Sequence, residues 1–200
     1  MGRFAYNPFN GSILVYRGTG TKQKLPRYHI AKFTESPLAA ADDSIRASQA
    51  LGLAAVVATT GITQPDCARR VLITKSEAAI DGYVVIVGTD IADNAITENV
   101  DMEASGTTKV TTKAFKTISS ITYPIQTDAG QTIKIGTDAC IGLPIYCSVD
   151  PILKIRHNIT MISAWTLYNS STDVSKVMVL PTGYVPDGEH LELFLVVAHE

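Results

Sequence analysis

The chain has 200 residues, of which 46% are hydrophobic and 18% are charged, which is enough to bury the core of one large domain with or without an ordered arm. Its formal net charge is −2, with acids and bases interspersed. Because no basic stripe is present to follow a phosphate backbone, direct binding to nucleic acid is not expected. The low charged fraction also predicts a surface partly covered by neighbours, since solvated faces normally carry charges.

The chain shows no sequence signal for export or membrane insertion. The opening residues MGRFAYNPFNGS lack the apolar segment of a secretory signal, and the most apolar window, Leu191–Ala198, is too short to span a membrane. We therefore expect a reducing compartment, in which Cys67, Cys140 and Cys147 are free, buried thiols.

Residues Met1–Pro37 differ in character from the rest and predict an extended N-terminal arm or a peripheral hairpin. Two short strand patterns, Ile13–Arg17 and Tyr28–Phe33, alternate there with Asn-Gly and Gly-Thr-Gly-Thr loops. The segment carries much of the local positive charge, so we take it as a candidate interaction arm, and assign residues 38–200 to one β-domain. The candidate interaction residues in the arm are Arg3, Phe4, Tyr6, Phe9, Tyr16, Arg17, Arg27 and Tyr28.

The Ala-rich stretch Leu38–Ala58 is open to two interpretations. Alanine favours a helix, which Ser36 or Asp42 would cap and Gly52 would end. The apolar stripe of such a helix consists mainly of small alanines and gives it little reason to dock. Helix and extended strand are therefore left as equal alternatives.

From Gly61 onward, short apolar or alternating runs separated by turn residues indicate β-strands. The run Tyr83–Val87 is apolar throughout and predicts a buried strand. Leu143–Val149 alternates and places Cys147 in the core. The fold class predicted is all-β, a sandwich or barrel of short antiparallel strands. The remaining predicted strands are Val71–Thr74, Ala95–Met102, Phe115–Tyr123, Gln131–Gly136, two or three within Ile152–Leu167, Lys176–Leu180 and Leu191–Ala198.

Glu98 shares the face of its predicted strand with Ile96, Val100 and Met102. A carboxylate on an otherwise apolar face is either a functional acid or a charge that protects a sheet edge from pairing with another sheet. No histidine lies near it in sequence to complete a catalytic pair, so we interpret Glu98 as edge protection.

No pattern in the chain predicts a catalytic, cofactor or metal site. The four histidines are scattered, no Cys-x-x-Cys or nucleophile elbow occurs, and no enzyme activity is expected. Asp90, Asp93 and Asn94 have spacing that could ligate Ca²⁺, but Asp and Asn are also the residues that a β-turn selects. We interpret this group as a turn.

Three segments of the central region resemble a pattern in structural proteins of tailed-bacteriophage virions. They read ITQPDCARRVLIT, VVIVGTDIADNAITENV and TTKAFKTISSIT, within a resemblance that covers about Gly61–Leu143. The chain departs from the pattern at Asp93, where glycine is usual, and at Asn99, where threonine is usual. The arm has no counterpart in it.

The resemblance implies a β-rich minor capsid or head decoration protein, located in the virion and assembled in the host cytoplasm. The expected partners are the lattice of the major capsid protein and further copies of the chain, with a trimer suspected. The same resemblance also fits a tail-tube subunit or a neck (head–tail connector) subunit. A third hypothesis, a glycan-binding β-domain, requires exposed aromatic side chains, which Trp165, Tyr168 and Tyr146 would have to supply.

Overall fold

A computed structural model describes residues 4–6, 13–16, 22–24, 27–103, 106–128, 130–147 and 149–199. The predicted all-β class is confirmed: seventeen strands and a single three-residue 3-10 helix, Val174–Lys176, account for the regular structure of these residues. None of their helical structure is long and apolar enough to cross a membrane. The strands are β1 Phe4–Tyr6, β2 Ile13–Tyr16, β3 Lys22–Lys24, β4 Arg27–Glu35, β5 Ala41–Ala50, β6 Val56–Ala58, β7 Arg69–Lys75, β8 Tyr83–Thr89, β9 Ala95–Asp101, β10 Thr108–Phe115, β11 Thr117–Tyr123, β12 Thr132–Gly142, β13 Ile152–His157, β14 Thr160–Ile162, β15 Trp165–Tyr168, β16 Met178–Pro181 and β17 Leu191–His199.

The described strands form antiparallel sheets, including a curled half-barrel. The largest has the order β10-β7-β12-β16-β15, and β5 joins it through β12. A second sheet has the order β6-β11-β8-β9, and a third, the terminal sheet, has the order β14-β13-β17-β4. Strands β1, β2 and β3 form a small sheet of their own.

Two main clusters of buried apolar side chains lie between these sheets. The first contains Val71 and Ile73 of β7 with Val84 and Ile86 of β8, and all four side chains are fully buried. The second is built mainly from the terminal sheet, β12 and β16. Strand β12 contributes to both clusters, which makes this long strand the structural link between them. Its residues Ile133 and Ile135 enter the first cluster and Ile141 enters the second.

The Ala-rich stretch is extended, so the strand alternative is the correct one. Strand β5 pairs with β12, and β6 pairs with β11. Ile45 of β5 is 1% exposed and anchors the strand in the first core cluster. The close approach of β5 depends on Gly136 of β12, because a Cβ there would lie 1.8 Å from the carbonyl oxygen of Ala41. Tertiary packing on a glycine thus overrides local helix propensity.

Two details of the predicted strand pattern are wrong. The first is the alternating run Leu143–Val149, which is not a continuous strand. Strand β12 ends at Gly142, the chain bends at Pro144 and Ile145, and a single bridge joins Cys147 to Ser170. The alternation arises because side chains turn in and out of the core along a bent segment, and Cys147 is buried as predicted. Strand β10 was not predicted because its threonines and lysines lack an apolar alternation.

The predicted arm contains a strand of the terminal sheet. Strand β4 pairs with β17 through nine consecutive residue pairs, from Glu35 opposite Leu191 to Arg27 opposite His199, with no bulge. The predicted division at residue 37 therefore separates β4 from its pairing partner. Of the candidate arm residues, Arg3, Phe9 and Arg17 lie outside the described residues. Phe4 and Tyr6 are in β1, Tyr16 is in β2, and Arg27 and Tyr28 are in β4.

Candidate interaction surfaces

The three cysteines are buried in the core as free thiols. Burial, with a smaller contribution from the nearby Asp66 carboxylate, raises the pKa of the Cys67 thiol to about 12, and burial raises that of Cys140 to about 12. Burial also raises the pKa of Cys147. A thiol with such a pKa is protonated at neutral pH and is a poor nucleophile or metal ligand. The cysteines therefore fill space.

Two histidines join loops at the rim of the terminal sheet. The His157 Nε2 atom lies 2.9 Å from Asp187 Oδ1, and its ring makes an edge contact with Tyr184 at 4.9 Å between centroids. His190 Nδ1 lies 3.0 Å from the Ser36 hydroxyl oxygen. Sequence reasoning missed both contacts because their partners are far apart in the chain. The described part of the chain holds no group of three or more potential metal ligands.

The contact between Ser36 and His190 has the residue types of a nucleophile and its base, but its setting differs from that of an active site. Both residues are exposed, and no described carboxylate bonds to the second ring nitrogen of His190 to orient it. The hydroxyl and imidazole instead connect the segment after β4 to the residue before β17. We assign this contact a structural role.

A cleft of about 490 Å³ lies where β4, the segment before β7 and the start of β11 meet. Its walls include the carboxylates of Glu35 and Asp66. The Asp66 carboxylate bonds to the Arg69 guanidinium at 3.2 Å, whereas the Glu35 carboxylate accepts no hydrogen bond from a described residue. Burial, and then the neighbouring Asp66, raises the pKa of Glu35. Lys116, also in the wall, is paired with Asp93 at 2.7 Å, and the Cys67 thiol in the same wall has the raised pKa described above.

The carboxylate of Asp90 builds the turn between β8 and β9. It accepts hydrogen bonds from the backbone N–H groups of Ala92 at 2.8 Å and Asn94 at 2.9 Å, and from the Asn94 side chain at 3.1 Å. Asp93 has φ +63°, the left-handed conformation that glycine, Asn and Asp tolerate best. This geometry is that of a turn, as the sequence predicted. The carboxylate oxygens are occupied by the chain's own donors.

Glu98 lies on β9, the edge strand of its sheet among the described residues. Its carboxylate accepts hydrogen bonds from the backbone N–H groups of Thr112 at 2.5 Å and Lys113 at 3.0 Å, which belong to the irregular part of β10. The side chain therefore joins the edges of two sheets. The role shown differs from the predicted edge protection, because Glu98 satisfies donors of a neighbouring strand and does not hold a partner sheet away.

The outer face of the β6-β11-β8-β9 sheet carries no charged side chain along three neighbouring rows of residue pairs. One row runs from Val57 through Thr122 and Val85 to Asn99. The hydroxyl groups of Thr89 and Thr117 bond to each other across the strands at 2.7 Å. We call this surface the uncharged face. It comprises Val57, Val85, Val87, Thr89, Ala95, Thr97, Asn99, Thr117, Ser119, Ser120 and Thr122.

An uncharged sheet face of this extent is unusual for a surface that meets only water, because exposed strands normally carry charges that keep sheets apart. Val57 on this face is 58% exposed. The face is thus a surface suited to being covered, in line with the expectation drawn from the low charged fraction of the chain.

The aromatic residues proposed for glycan binding do not form one platform. Trp165 and Tyr168 lie on opposite faces of β15, because Trp165 packs against the second core cluster and Tyr168 against a separate small cluster. The Trp165 Nε1 atom donates to Asp150 Oδ2 at 2.8 Å. Tyr168 is covered by the Arg70 guanidinium at 5.1 Å from its ring centroid. Tyr146 is exposed, but it lacks the other two as partners.

No protein-family model, no curated protein and no solved structure matches this chain. A function has to be proposed from the residues, the fold and the surfaces described above. Among these, the uncharged face is the feature that most directly indicates a partner.

Proposed function

We propose that this chain is a structural component of a phage virion that binds and stabilises the capsid surface as a decoration or minor capsid protein. Its partners are the lattice of the major capsid protein and other copies of itself, and its location is the virion, assembled in the host cytoplasm. On this proposal it has no catalytic role and binds neither nucleic acid nor membrane directly.

The observation that carries the proposal is the uncharged face. A sheet surface of Val, Thr, Ser and Asn packs against another protein without leaving buried charges unpaired. Its backbone is held rigidly, because β8 pairs with β9 through seven residue pairs and with β11 on its other side. A rigid, pre-organised surface loses little conformational entropy when it binds.

The resemblance to virion proteins supports the same surface. The segments VVIVGTDIADNAITENV and TTKAFKTISSIT contain most of β8, β9 and β11, which are three of the four strands behind the uncharged face. Turn and strand residues therefore carry the resemblance, as expected of a building block. Asp93, where the pattern usually has glycine, has a positive φ that explains why glycine suits that position.

The proposal is tested by binding the purified chain to heads of the phage that encodes it, prepared without the chain. The face variant is Asn99→Lys with Thr117→Lys, which places two positive charges on exposed positions of the uncharged face. The control is Ser171→Lys with Thr182→Lys, which adds the same charge at exposed positions elsewhere. We expect the wild type and the control to sediment with heads, and the face variant to bind at least about tenfold more weakly, because two desolvated charges cost more than 1.4 kcal/mol.

Binding of the face variant at wild-type strength would reject the uncharged face as the contact. Absence of the chain from purified virions would reject the whole proposal. Its presence in isolated tails or necks, and not in heads, would instead favour the tail-tube or connector alternative. Circular dichroism and thermal melting of each variant establish that the folds compared are the same.

A further inference from the structure

The outer face of the terminal sheet combines exposed apolar side chains with a positive charge. The inward residues Leu191, Leu193 and Leu195 of β17 are buried in the second core cluster, so the alternate residues of the sheet point outward. Pairing places Lys32 and Lys154 on either side of Phe194, with the Lys154 ammonium 5.1 Å from the ring centroid. We call this surface the basic face. Its positively charged and exposed apolar residues are Ile30, Lys32, Leu153, Lys154, Arg156 and Met161.

One acid on the basic face is already neutralised. Glu192 forms ion pairs with both Lys32 and Arg156, which belong to the two strands that flank β17. Two cations shared with one carboxylate leave a net positive charge, and Lys154 adds another. The exposed apolar residues of the face, Ile30 at 65% and Met161 at 52%, lie among these charges.

The opposite charge is concentrated where three loops meet beside the first core cluster. The Lys75 ammonium draws two of them together by donating to the carbonyl oxygens of Ile80 at 3.1 Å and Met102 at 2.7 Å. The third loop joins through Gln126, whose side-chain amide donates to the carbonyl oxygen of Asp81 at 2.9 Å. We call this surface the acidic end. Its exposed carboxylates are Glu77, Asp81, Asp101, Glu103 and Asp128.

The acidic end also carries exposed apolar side chains. Tyr83 is 56% exposed and lies opposite Asp101, and Ile125, which precedes Gln126, is 54% exposed. Both surfaces therefore mix large apolar groups with a net charge, and the two net charges are opposite in sign. Such pairs of surfaces attract each other over a Debye length and then bury their apolar groups on contact.

We infer that copies of this chain associate head to tail, with the basic face of one copy against the acidic end of the next. The two surfaces are different parts of the molecule, so the contact is heterologous and generates a ring or an open chain of subunits. The inference concerns a surface other than the uncharged face and does not depend on the virion assignment.

The test uses two variants that each disable one surface and leave the hydrogen bonds and ion pairs of the described residues intact. The basic-face variant is Leu153→Glu with Lys154→Glu, which keeps Glu192 and both of its ion-pair partners. The acidic-end variant is Glu103→Lys with Asp128→Lys, at exposed carboxylates that form no hydrogen bond with a described residue. A control variant, Ser171→Glu with Lys176→Glu, changes the net charge by the same amount as the basic-face variant. Its two positions lie away from both surfaces. Masses are measured by sedimentation velocity from about 0.02 M to about 0.5 M salt.

We expect the wild type and the control to form oligomers at low salt whose mass grows with protein concentration and falls as salt is added. Each surface variant alone stays monomeric. An equimolar mixture of the two variants stops at a one-to-one dimer, because only one intact contact can form between them. This capped dimer also shows that both variants are folded.

Three results would overturn the inference. The first is a wild type that stays monomeric at low salt up to its solubility limit. The second is a surface variant that assembles like the wild type. The third is a mixture that forms no dimer although the wild type assembles. None of these results bears on head binding through the uncharged face, so the two proposals fail separately.

Discussion

Lys75 is a cation whose side chain lies inside a β-sheet protein, 2% exposed, on the inward-facing side of β7. Its ammonium group donates to the carbonyl oxygens of Ala78, Ile80 and Met102 at 2.7 to 3.1 Å. Burial lowers the pKa of the group below its ordinary value, with a smaller contribution from Lys109. Three carbonyl oxygens take the place of water around the charge. The side chain therefore holds the loop between β7 and β8 onto the end of β9.

Replacing Lys75 with methionine is expected to destabilise the protein by about 3 kcal/mol, because carbonyl groups now bonded to the ammonium lose their partner. The measurement is urea unfolding followed by circular dichroism. The matched control is Lys134→Met, which removes an ammonium that pairs with Asp42 at a site where both side chains are more than a third exposed. That change should cost less than about 1 kcal/mol. Equal losses in the two variants would contradict the role given to Lys75.

Glu35 and Glu192 should have opposite effects on how stability depends on pH. The ion pairs of Glu192, first with Lys32 and then with Arg156, lower its pKa below the unfolded value of about 4.3. Its stabilisation is therefore complete above that pH and is lost as the pH falls through the folded pKa. Burial raises the pKa of Glu35. Ionising Glu35 therefore costs stability as the pH rises through the interval between its unfolded and its folded pKa.

The variants Glu192→Gln and Glu35→Gln test this contrast by thermal melting at pH 7 and near pH 3. At pH 7 we expect Glu192→Gln to melt below the wild type and Glu35→Gln to melt above it. The Glu35→Gln difference should shrink near pH 3, because the Glu35 carboxylate is protonated there in the folded and the unfolded state. The Glu192→Gln difference should shrink only as the pH falls through the lowered folded pKa of Glu192. A Glu35→Gln variant that is less stable at pH 7 would show that its carboxylate has a favourable partner.

For single residues, the sequence shows which side chains have an unusual role better than it shows what those side chains contact. Glu98 was recognisable as an anomaly on an apolar face, and Asp90 as a turn residue. The donors that Glu98 satisfies belong to β10, whose irregular pairing no local pattern reveals. Arg69 was unremarkable in the sequence, yet it is 1% exposed and bonds to the backbone carbonyl oxygens of Leu38 and Asp138 at 2.8 Å. Such contacts depend on which distant strands become neighbours.

Among the elements, β5 shows how a single missing side chain decides the state of a segment. Gly136 allows its backbone to approach, and replacing Gly136 with alanine would place a methyl group 1.8 Å from the Ala41 carbonyl oxygen. We expect a loss of about 3 kcal/mol or more, since β5 has to move off β12 and Ile45 leaves the core. Urea unfolding measures the loss.

Gly52→Ala is the matched control for that variant, because a Cβ at Gly52 meets nothing within 4 Å. Its stability should change by less than about 0.5 kcal/mol. If Gly136→Ala were tolerated equally well, the close packing of β5 on β12 could not be what keeps this segment extended.

Strands with a clear apolar pattern were predictable, and those without one were not. Tyr83–Val87 was correctly identified as a strand because its residues are apolar throughout, but the prediction that it is buried on both faces is wrong. Tyr83 is 56% exposed, and Val85 and Val87 lie on the uncharged face. Strand β10 is rich in threonine and lysine and is a strand because β7 offers it a pairing edge. The Ala-rich segment was undecided because alanine favours a helix locally, while the fold needs small residues on a strand that packs closely.

On the scale of the whole molecule, the pairing of β4 with β17 determines which part of the N-terminal region can be removed. A chain lacking residues 1–26 keeps β4, so its melting temperature should stay within a few degrees of the full chain. A chain lacking residues 1–37 exposes the edge of β17 and loses Phe33 from the second core cluster. We expect that chain to melt at least about 4 °C lower or to aggregate, as a loss of about 2 kcal/mol implies for a chain of this length.

Thermal melting and light scattering of the two truncated chains make the measurement. Equal melting temperatures would mean that β4 contributes little and that the arm extends to residue 37, as the sequence suggested. The shorter truncation is also the appropriate one for asking whether the arm contacts a capsid, because it leaves the terminal sheet whole.

Composition and alternation were enough to predict the all-β class and to expect a covered surface. They did not show where the uncharged face would lie. Alternation shows that one side of each strand faces outward, but the order β6-β11-β8-β9 is what assembles separate runs of Thr, Ser and Val into one continuous face. The basic face likewise needs β4 and β13 to lie on either side of β17. Both surfaces are products of long-range pairing.

The nine-pair ladder between β4 and β17 also determines how the protein can fold. It joins two strands that are far apart in the sequence, and ladders between distant segments close slowly because a long loop has to be ordered first. Strands β5 to β16 are synthesised between them. A nascent chain therefore carries β4 as an unpaired strand, with Phe33 still outside the second core cluster, until β17 is released. This interval is when the protein is most exposed to misassembly, and refolding should show the terminal sheet acquiring amide-exchange protection last.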